Sequence, residues 1–158
     1  MRIGVISDTH LHDCDERLDR LTKTHFYDVD LILHAGDLVD IRVLNSFNGK
    51  NIKAVHGNMD PPSVKSTLPD RLILEIFGHR IGLIHGWGMP FDLEKRLLNE
   101  LNGIDCLVYG HSHKPVNKMQ DGVLLFNPGS ATDKHFTRAN TIGILEIDDQ
   151  IEGKIIRI

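Results

Sequence analysis

The clearest indication of the fold is the stretch Ile3-Gly4-Val5-Ile6-Ser7-Asp8-Thr9-His10. Its first half is short, apolar and rich in β-branched side chains, a composition that predicts a β-strand. Asp8 and His10 follow this strand at once, and both side chains are common metal ligands. In open α/β sheets the binding crevice lies beyond the carboxyl ends of the strands, so the stretch indicates a site as well as a strand.

An apolar run followed by a ligand-type residue occurs four more times. Leu31–Leu33 precedes Asp37, Ile52–Val55 precedes Asn58, Arg80–Ile84 precedes His85, and Cys106–Tyr109 precedes His111 and His113. Because the carboxyl ends of parallel strands meet at one edge of a sheet, we expect all seven donors to converge there. Glycines accompany nearly every donor, as in Gly36-Asp37 and Gly57-Asn58, and we expect them to supply positive φ angles and close backbone approach.

Further apolar runs and helical periodicity complete the predicted fold. Four more runs predict strands: Leu72–Phe77, Val123–Phe126, Thr141–Ile147 and Ile151–Ile158. Apolar residues at helical spacing predict helices from Glu16 to about Phe26, from Asp40 to about Phe47, and from Asp92 to Leu101, where Asp92 can serve as the N-cap. Strand–helix–strand order in the first half favours a parallel sheet. We therefore predict an α/β sandwich with mixed sheets in one domain spanning residues 1–158.

Composition argues against several classes of function. The chain carries 18 Lys and Arg against 22 Asp and Glu, so it lacks the basic excess that sequence-independent binding to duplex DNA requires. No uninterrupted apolar run exceeds four residues, far below the ~18 that span a bilayer, so we expect no membrane partner. Two distant cysteines, Cys14 and Cys106, form no CxxC pattern, and a reducing cytoplasm is the expected location.

Seven donors are more than one ion normally takes from a protein, because a catalytic ion keeps a position for water. Two divalent ions that share a carboxylate account for the set. We assign the first ion to Asp8, His10, Asp37 and His113, and the second to Asp37, Asn58, His85 and His111, with Asp37 as the bridge. Two divalent ions, two carboxylates and a bridging hydroxide leave about one positive charge, so the centre would attract an anion.

A pair of divalent ions indicates phosphoester hydrolysis. Two metals about 3.5–4 Å apart lower the pKa of a shared water and hold the attacking and leaving oxygens of an in-line displacement at phosphorus. Oxygen and nitrogen donors without a thiolate suit Mn²⁺, our first expectation, and also Ni²⁺, Fe²⁺, Co²⁺ and Zn²⁺. The sequence thus predicts two divalent ions as cofactors and leaves the choice among these metals open.

Five motifs of the chain together resemble those of the calcineurin-like metallophosphoesterases. They are Asp8-Thr9-His10, Gly36-Asp37, Gly57-Asn58-Met59-Asp60, His85-Gly86 and Gly110-His111-Ser112-His113. The short chain and Asn127-Pro128-Gly129-Ser130 near its end resemble the small phosphodiesterase branch of that family. The resemblance implies a four-layer α/β/β/α sandwich with two mixed sheets. It also implies that all seven donors are metal ligands, with Asp37, Asn58 and His85 forming the catalytic set.

One position departs from the larger phosphatases of this family. There a histidine follows the asparagine and helps to protonate the leaving group, whereas this chain has Met59. A thioether cannot donate a proton, and general acid catalysis contributes about 10²–10⁴-fold. We therefore expect slower turnover and a preference for esters with good leaving groups.

Residues outside the donor set are weaker candidates. His135 and Arg138, which follow the Asn127–Ser130 motif, are candidates for substrate binding, with an ordinary loop as the alternative. His34 lies at a strand end, where it is either an ordinary buried histidine or a support for a ligand. Ser130 is not expected to be a nucleophile, because no nucleophile elbow surrounds it.

The leading function is a dinuclear-metal phosphodiesterase that hydrolyses small phosphodiesters by in-line attack of a metal-bridging hydroxide. A phosphomonoesterase or nuclease could use the same centre, although a chain of 158 residues leaves little length for a nucleic-acid groove. A third alternative is a non-catalytic scaffold, since the family includes a subunit of the retromer coat that works by protein interaction. The resemblance also makes a homo-oligomer an expectation.

Overall fold

A computed structural model describes residues 1–133, 137 and 139–158 of the chain. Strands and helices alternate along the first part of the chain, and strands dominate its end. The elements are β1 Arg2–Ile6, α1 Glu16–Thr24, β2 Leu31–His34, a 3₁₀ helix Ile41–Phe47, β3 Ile52–Ala54, α2 Pro62–Lys65, β4 Arg71–Ile76, β5 His79–Ile84, α3 Leu93–Glu100, β6 Cys106–Tyr109, β7 Val116–Gln120, β8 Val123–Asn127, β9 Thr141–Ile147 and β10 Ile151–Arg157.

The strands form two mixed sheets of five strands each. In the first sheet the order is β10-β9-β1-β2-β3; β1, β2 and β3 run parallel, while β9 pairs antiparallel with both β1 and β10. In the second the order is β4-β5-β6-β8-β7; β5, β6 and β8 run parallel, while β4 and β7 are antiparallel edge strands. Each sheet therefore contains parallel strands whose carboxyl ends share an edge.

Apolar side chains fill three successive interfaces. The two sheets meet face to face in a core that includes Val108 and Phe126. On the outer face of the first sheet, Leu18 of α1 packs with Phe26 and the 3₁₀ helix. On the outer face of the second sheet, α3 packs through residues such as Leu93. The resulting order of helix, sheet, sheet and helix confirms the four-layer α/β/β/α sandwich.

Aspartate caps begin two of the helical segments. The Asp15 carboxylate accepts a hydrogen bond from the Arg17 amide at 2.8 Å and so satisfies a free donor of the first turn of α1. Asp40 accepts in the same way from the Arg42 amide at 2.9 Å, but the helix that follows is wound as 3₁₀. Among the described residues, no helix combines the length and apolar character needed to cross a membrane.

The expected N-cap role of Asp92 is wrong. Its φ of 52° lies in the left-handed region, and its side chain makes no capping hydrogen bond. An N-cap carboxylate reaches the first-turn amides from an extended backbone, which this conformation does not provide. The Asp92 carbonyl nevertheless accepts the first helical hydrogen bond from the Arg96 amide at 3.2 Å.

Two short elements were not predicted. Strand β7 is largely exposed, and its residues Asn117 and Lys118 break the apolar pattern that identified the other strands. Backbone pairing with β8 defines this strand. Helix α2 begins at Pro62, in a stretch for which the sequence predicted no helix or strand. Proline fits the first turn of a helix because it needs no amide hydrogen bond there.

Candidate metal centre

The seven predicted donors lie just beyond the carboxyl ends of five strands. Asp8 and His10 follow β1, Asp37 follows β2, Asn58 follows β3, His85 follows β5, and His111 and His113 follow β6. Backbone hydrogen bonds join the first two of these loops, because the Asp8 amide donates to Gly36 and the His10 amide donates to Asp37, both at 3.0 Å. The His111 amide, after β6 of the second sheet, donates to Asp8 Oδ2 at 3.1 Å, so loops from both sheets meet at one edge of the sandwich.

A buried group consists of Asp8, Asp37 and His85, whose ligand atoms all lie within 4.8 Å of one another. His85 Nε2 is 3.3 Å from Asp37 Oδ2 and 3.9 Å from Asp8 Oδ1. This nitrogen is buried and has no hydrogen-bond partner among the residues that the structure describes. Two carboxylates and an unpartnered imidazole nitrogen facing the same point are suited to a divalent cation.

A second group shares Asp8 and adds His10 and His113. His113 Nε2 is 3.3 Å from Asp8 Oδ1, and the two Nε2 atoms of His10 and His113 are 3.3 Å apart. Asp8 is therefore common to both groups. The bridging role assigned to Asp37 stays a prediction; its Oδ2 atom lies 3.9 Å from His10 Nε2 and 3.3 Å from His85 Nε2, and so faces both groups.

Asn58 and His111 lie at the entrance to the buried group. Asn58 Oδ1 is 2.9 Å from His111 Nδ1, and the His111 ring packs edge-on against His85 with ring centroids 5.5 Å apart. His111 Nε2 donates to the Gly88 carbonyl at 2.7 Å, which leaves Nδ1 as an acceptor in the neutral ring. In this arrangement, Asn58 Oδ1 and His111 Nδ1 are close enough together to bind one cation.

Each of three histidines has its second ring nitrogen fixed by an acceptor. His85 Nδ1 donates to the Ala35 carbonyl at 2.6 Å, and His113 Nδ1 donates to Asp133 Oδ2 at 2.7 Å. His111 has the equivalent bond to Gly88. Metal-binding histidines commonly donate their other N–H in this way, because the bond sets the tautomer and aims the free lone pair at the ion. The donor set thus fits a metal centre.

Charge at the centre is balanced between carboxylates and imidazoles. Burial opposes ionisation of Asp8, yet the hydrogen bond with His113 and the charge of His85 hold the pKa of the carboxyl below its usual value. Burial by itself would lower the pKa of His113, but Asp8 and then Asp133 raise it to about 9. Burial likewise opposes the charge of His85, and Asp37 raises its pKa. A cation that binds here displaces protons from these rings.

The ligand positions themselves adopt positive φ angles. The set comprises Asp8 (53°), His10 (45°), Asp37 (57°), His111 (81°) and His113 (55°). Non-glycine residues rarely occupy this region, and such strain concentrates at functional sites. Both roles expected of the glycines also occur: Gly36 has a φ of 91°, and Gly57 allows a close approach, since a Cβ there would overlap Asp37 Oδ1.

Asp60 is a structural member of the site whose importance the sequence did not reveal. Its side chain is buried and accepts hydrogen bonds from the backbone amides of Asp37 at 3.0 Å, Val39 at 2.6 Å and Gly57 at 2.7 Å. These bonds tie the loop after β2 to the loop after β3. Its place in Gly57-Asn58-Met59-Asp60 was the available clue, but that pattern also describes an ordinary turn.

The Asn127–Ser130 motif supports the ligands from behind. Ser130 is fully buried, and its hydroxyl donates to the Asp8 carbonyl at 2.7 Å. Asn127 Nδ2 donates to the Gly110 carbonyl at 3.2 Å, next to His111. Ser130 therefore holds the backbone of a predicted ligand.

His34 supports the same loops from inside the fold. Its Nε2 atom lies 3.1 Å from Thr9 Oγ1, and its Nδ1 accepts from the Gly36 amide at 3.3 Å. Complete burial is the main cause that lowers the pKa of His34 to about 3, so the ring is neutral. His34 is therefore a buried histidine and also a support for the ligand loops, so both interpretations left open for it apply.

A cavity of about 470 Å³ lies over the centre. His10, Asp37, Asn58, His111 and His113 line its floor, and Met59 and Pro90 form apolar walls. Asp8 and His85 are buried beneath it. The predicted substrate contacts His135 and Arg138 lie outside the described residues, so their roles stay predictions.

Comparison with known proteins agrees with this geometry. Residues 1–150 match the family model of the calcineurin-like phosphoesterase superfamily domain. A probable metallophosphoesterase of Methanocaldococcus jannaschii is 40% identical over 162 residues, covering 100% of this chain and 82% of that protein. A phosphodiesterase of the same organism is 30% identical over 173 residues, covering 99% of each chain.

Solved structures share the fold along the whole chain. A structure described as a novel archaeal phosphodiesterase has a TM-score of 0.82 at 27% identity, with 100% of both chains covered. Vps29 of Entamoeba histolytica, solved with Zn²⁺, has a TM-score of 0.73 at 23% identity and covers 99% of each chain. At that level of identity the likeness to Vps29 shows the fold alone.

Proposed function

Because the chain belongs to the calcineurin-like phosphoesterase superfamily and is a metal-dependent phosphoesterase, we propose that it is a dinuclear phosphodiesterase acting on small phosphodiesters. The observation that carries the proposal is the pair of donor groups joined at Asp8. Asp37 Oδ2 of the buried group is also 3.9 Å from His10 Nε2 of the other group, and Asn58 with His111 extends the buried group towards the cavity. One donor set thus offers places for two cations.

Two divalent cations would supply an activated water and positive charge for the developing negative charge on the phosphoryl oxygens. The chain's own residues hold and orient the reacting groups. The Asp8 and Asp37 carboxylates and the imidazoles of His10, His85 and His113 would form the anchor, while Asn58 faces the cavity in which the ester would lie. We assign the catalytic set to Asp37, Asn58 and His85.

Hydrolysis adds one water across one ester bond. The water oxygen forms a bond to phosphorus, the opposite phosphorus–oxygen bond breaks, and the products are a phosphomonoester and an alcohol that takes up a proton. Met59 lies at the mouth of the cavity, where its thioether cannot supply that proton. The leaving alcohol therefore takes its proton from water, which favours esters with acidic leaving groups.

Hydrolysis of bis-p-nitrophenyl phosphate beside p-nitrophenyl phosphate, with and without Mn²⁺, tests the proposal. The wild-type chain should hydrolyse the diester faster than the monoester, and only with the metal present. Asp37→Asn should lower the diester rate by about 10³-fold, because the carboxylate that we propose as the bridge between the two cations is lost. Asp149→Asn is the matched control, since Asp149 is exposed in the turn between β9 and β10.

Each result has a distinct meaning. A faster monoester reaction would identify a phosphomonoesterase with the same centre. Equal rates for the wild-type chain and Asp37→Asn would contradict metal-dependent hydrolysis at this site. A chain that binds cations but hydrolyses neither ester would instead fit the non-catalytic scaffold. Repeating the assay with Ni²⁺, Fe²⁺, Co²⁺ and Zn²⁺ tests Mn²⁺ as the preferred metal.

The organisation of the chain forms part of the same proposal. We take residues 1–158 as one domain, because β9 and β10 from the end of the chain pair in the sheet that contains β1. The free thiols Cys14 and Cys106 agree with a cytoplasmic location, which remains our proposal. Self-association stays a prediction that light scattering of the purified protein can test.

A further inference from the structure

A second cavity of about 310 Å³ lies beside the metal centre. It shares Asn58 and His85 with the centre and extends away from it, past the end of β5, towards Arg71 on β4 and Glu100 at the end of α3. We call it the side groove. A phosphodiester carries two organic groups on one phosphorus, and the two cavities meet at Asn58. The arrangement therefore offers a separate space for each group.

The side groove is apolar in the middle and charged at its far end. Ile84 and Trp87 line it, and Trp87 remains 41% exposed. At the far end, Arg71 Nη1 donates to Glu100 Oε2 at 2.6 Å. Near the centre, Lys65 Nζ donates to the Asn58 carbonyl at 3.1 Å and keeps two further N–H groups for a ligand. A ligand that fits here must combine a flat or apolar body with hydrogen-bonding edges.

The loop that carries Trp87 is already held in place. Arg96 Nη2 donates to the Trp87 carbonyl at 2.9 Å, and Arg96 Nη1 donates to the Phe91 carbonyl at 2.6 Å. The neighbouring Gly88 carbonyl accepts from His111 at 2.7 Å. A wall that is fixed before binding costs less entropy when a ligand packs against it. The backbone that carries Trp87 is thus fixed before binding, and the Gly88 carbonyl links this loop to His111 of the metal centre.

We propose that the side groove binds one ester group of the substrate and that this group is a nucleoside. The inference rests on the proposed phosphodiesterase function. A volume near 310 Å³ lies at the lower end of small-molecule sites and suits one ring system with a sugar. Trp87 offers a face for a nucleobase, and the Arg71–Glu100 pair offers adjacent donors and acceptors to a base edge.

Other ester groups fit the side groove less well. An alkyl or acyl chain would desolvate Arg71, Glu100 and Lys65 without giving them hydrogen bonds, which is unfavourable. A second phosphate would face the carboxylates of Glu100 and Asp70 and leave Trp87 without a partner. A nucleoside uses the aromatic wall and the charged end together.

Trp87 makes the first test possible in the unaltered protein, because it is the only tryptophan of the chain. Thymidine 5′-monophosphate and inorganic phosphate are titrated at the same concentration of divalent ion while tryptophan fluorescence is followed. The nucleotide should change the emission in a saturable way, and inorganic phosphate should leave it constant. The same response to both ligands, or no response to the nucleotide, would overturn the proposal.

A second test compares inhibition of bis-p-nitrophenyl phosphate hydrolysis by the same two ligands. Trp87→Ala should raise the inhibition constant of the nucleotide at least fivefold, the lower end of the effect of losing one base–aromatic stack, and change that of inorganic phosphate less than twofold. Trp87→Phe should restore most of the difference. Met59→Ala is the matched control from the wall of the other cavity, and it should leave the ratio of the two constants unchanged.

The outcomes separate this inference from the proposed function. If Met59→Ala rather than Trp87→Ala selectively weakens binding of the nucleotide, the nucleoside lies in the other cavity and the side-groove proposal is wrong. If Trp87→Ala weakens binding of the nucleotide and of inorganic phosphate equally, the proposal is also wrong. Failure of the wild-type chain to hydrolyse bis-p-nitrophenyl phosphate would contradict the phosphodiesterase function, while the fluorescence titration would still report whether the side groove binds a nucleotide.

Discussion

The metal centre has a buried half and an open half that are built in different ways. Asp8, Asp37 and His85 are each at most 4% exposed and are held by backbone amides, carbonyls and a serine hydroxyl. His10 and His113 line the cavity instead, with 28% and 10% of their side chains exposed. The buried half is preorganised by the fold, whereas the open half has room to adjust when a cation binds. The following experiments test this difference.

Loss of a buried ligand should cost more than loss of an open one. Asp8→Asn should lower kcat/KM for bis-p-nitrophenyl phosphate by about 10³-fold, because Asp8 belongs to both donor groups. His10→Asn should lower it by about 10–10²-fold, since His10 belongs to one. Steady-state kinetics with metal analysis measures both. Equal losses would show that burial does not distinguish the two halves.

Metal removal adds a stability measurement to that experiment. A cation at about 100 times its Kd stabilises the wild-type fold by about 2.7 kcal/mol, so chelation should lower Tm by about 5–10 °C. Asp8→Asn should show a much smaller change on chelation. A full shift in this variant would mean that the stabilising cation binds elsewhere.

Asp60 should be the main support of the buried half. Asp60→Ala removes the acceptor of three backbone amides, two of them buried, and should destabilise the fold by about 3 kcal/mol, lowering Tm by about 6–12 °C. Thermal unfolding without metal measures the effect apart from cation binding. Asp149→Ala, at an exposed turn, should change Tm by no more than about 1–2 °C.

Asp133 should act on the open half through His113. Its carboxylate accepts from His113 Nδ1 at 2.7 Å and orients the ring, so Asp133→Ala should weaken cation binding by about 10–100-fold. Isothermal titration calorimetry with Mn²⁺ measures the affinity, again with Asp149→Ala as control. An unchanged affinity would show that the fold positions His113 without this hydrogen bond.

Met59 should affect only the protonation of the leaving group, which takes place in the open half of the centre. Met59→His places a proton donor at the mouth of the cavity, where Met59 is 62% exposed and its amide donates to Asp37 Oδ1 at 2.8 Å. We expect kcat to rise about tenfold for a diester with a poor leaving group, with metal content unchanged. A diester with a good leaving group serves as the internal control, because it needs little protonation. If kcat for the diester with a poor leaving group does not change, the absence of a proton donor at position 59 does not limit its hydrolysis.

Most of the fold was predictable from apolar runs because burial imposes a local pattern on the chain. β1, β2 and β6 are buried at all or nearly all positions, and each was identified from a short run. β7 was missed because its exposed side chains need no apolar pattern, and only pairing with β8 defines it. The capping role predicted for Asp92 failed because a backbone angle, rather than residue type, decides whether a side chain can cap.

The candidate site was predictable in its members and less so in its arrangement. Asp8, Asp37 and His85 were recognisable because each follows an apolar run and belongs to a familiar motif. The acceptors that aim the histidines, such as the Ala35 and Gly88 carbonyls, were not recognisable, because every residue carries a carbonyl. Nothing local marked Asp60 as the residue that joins two loops.

The sequence by itself determined which side chains stand at the strand ends, because an apolar run followed by a ligand-type residue is visible directly in the order of the chain. Only tertiary structure decided that Asp8 belongs to two donor groups, which nitrogen of His85 faces the carboxylates, and that a groove bearing Trp87 opens beside Asn58. These features depend on contacts between residues far apart in the chain. Their distances are set by the packing of two sheets, which no local pattern encodes.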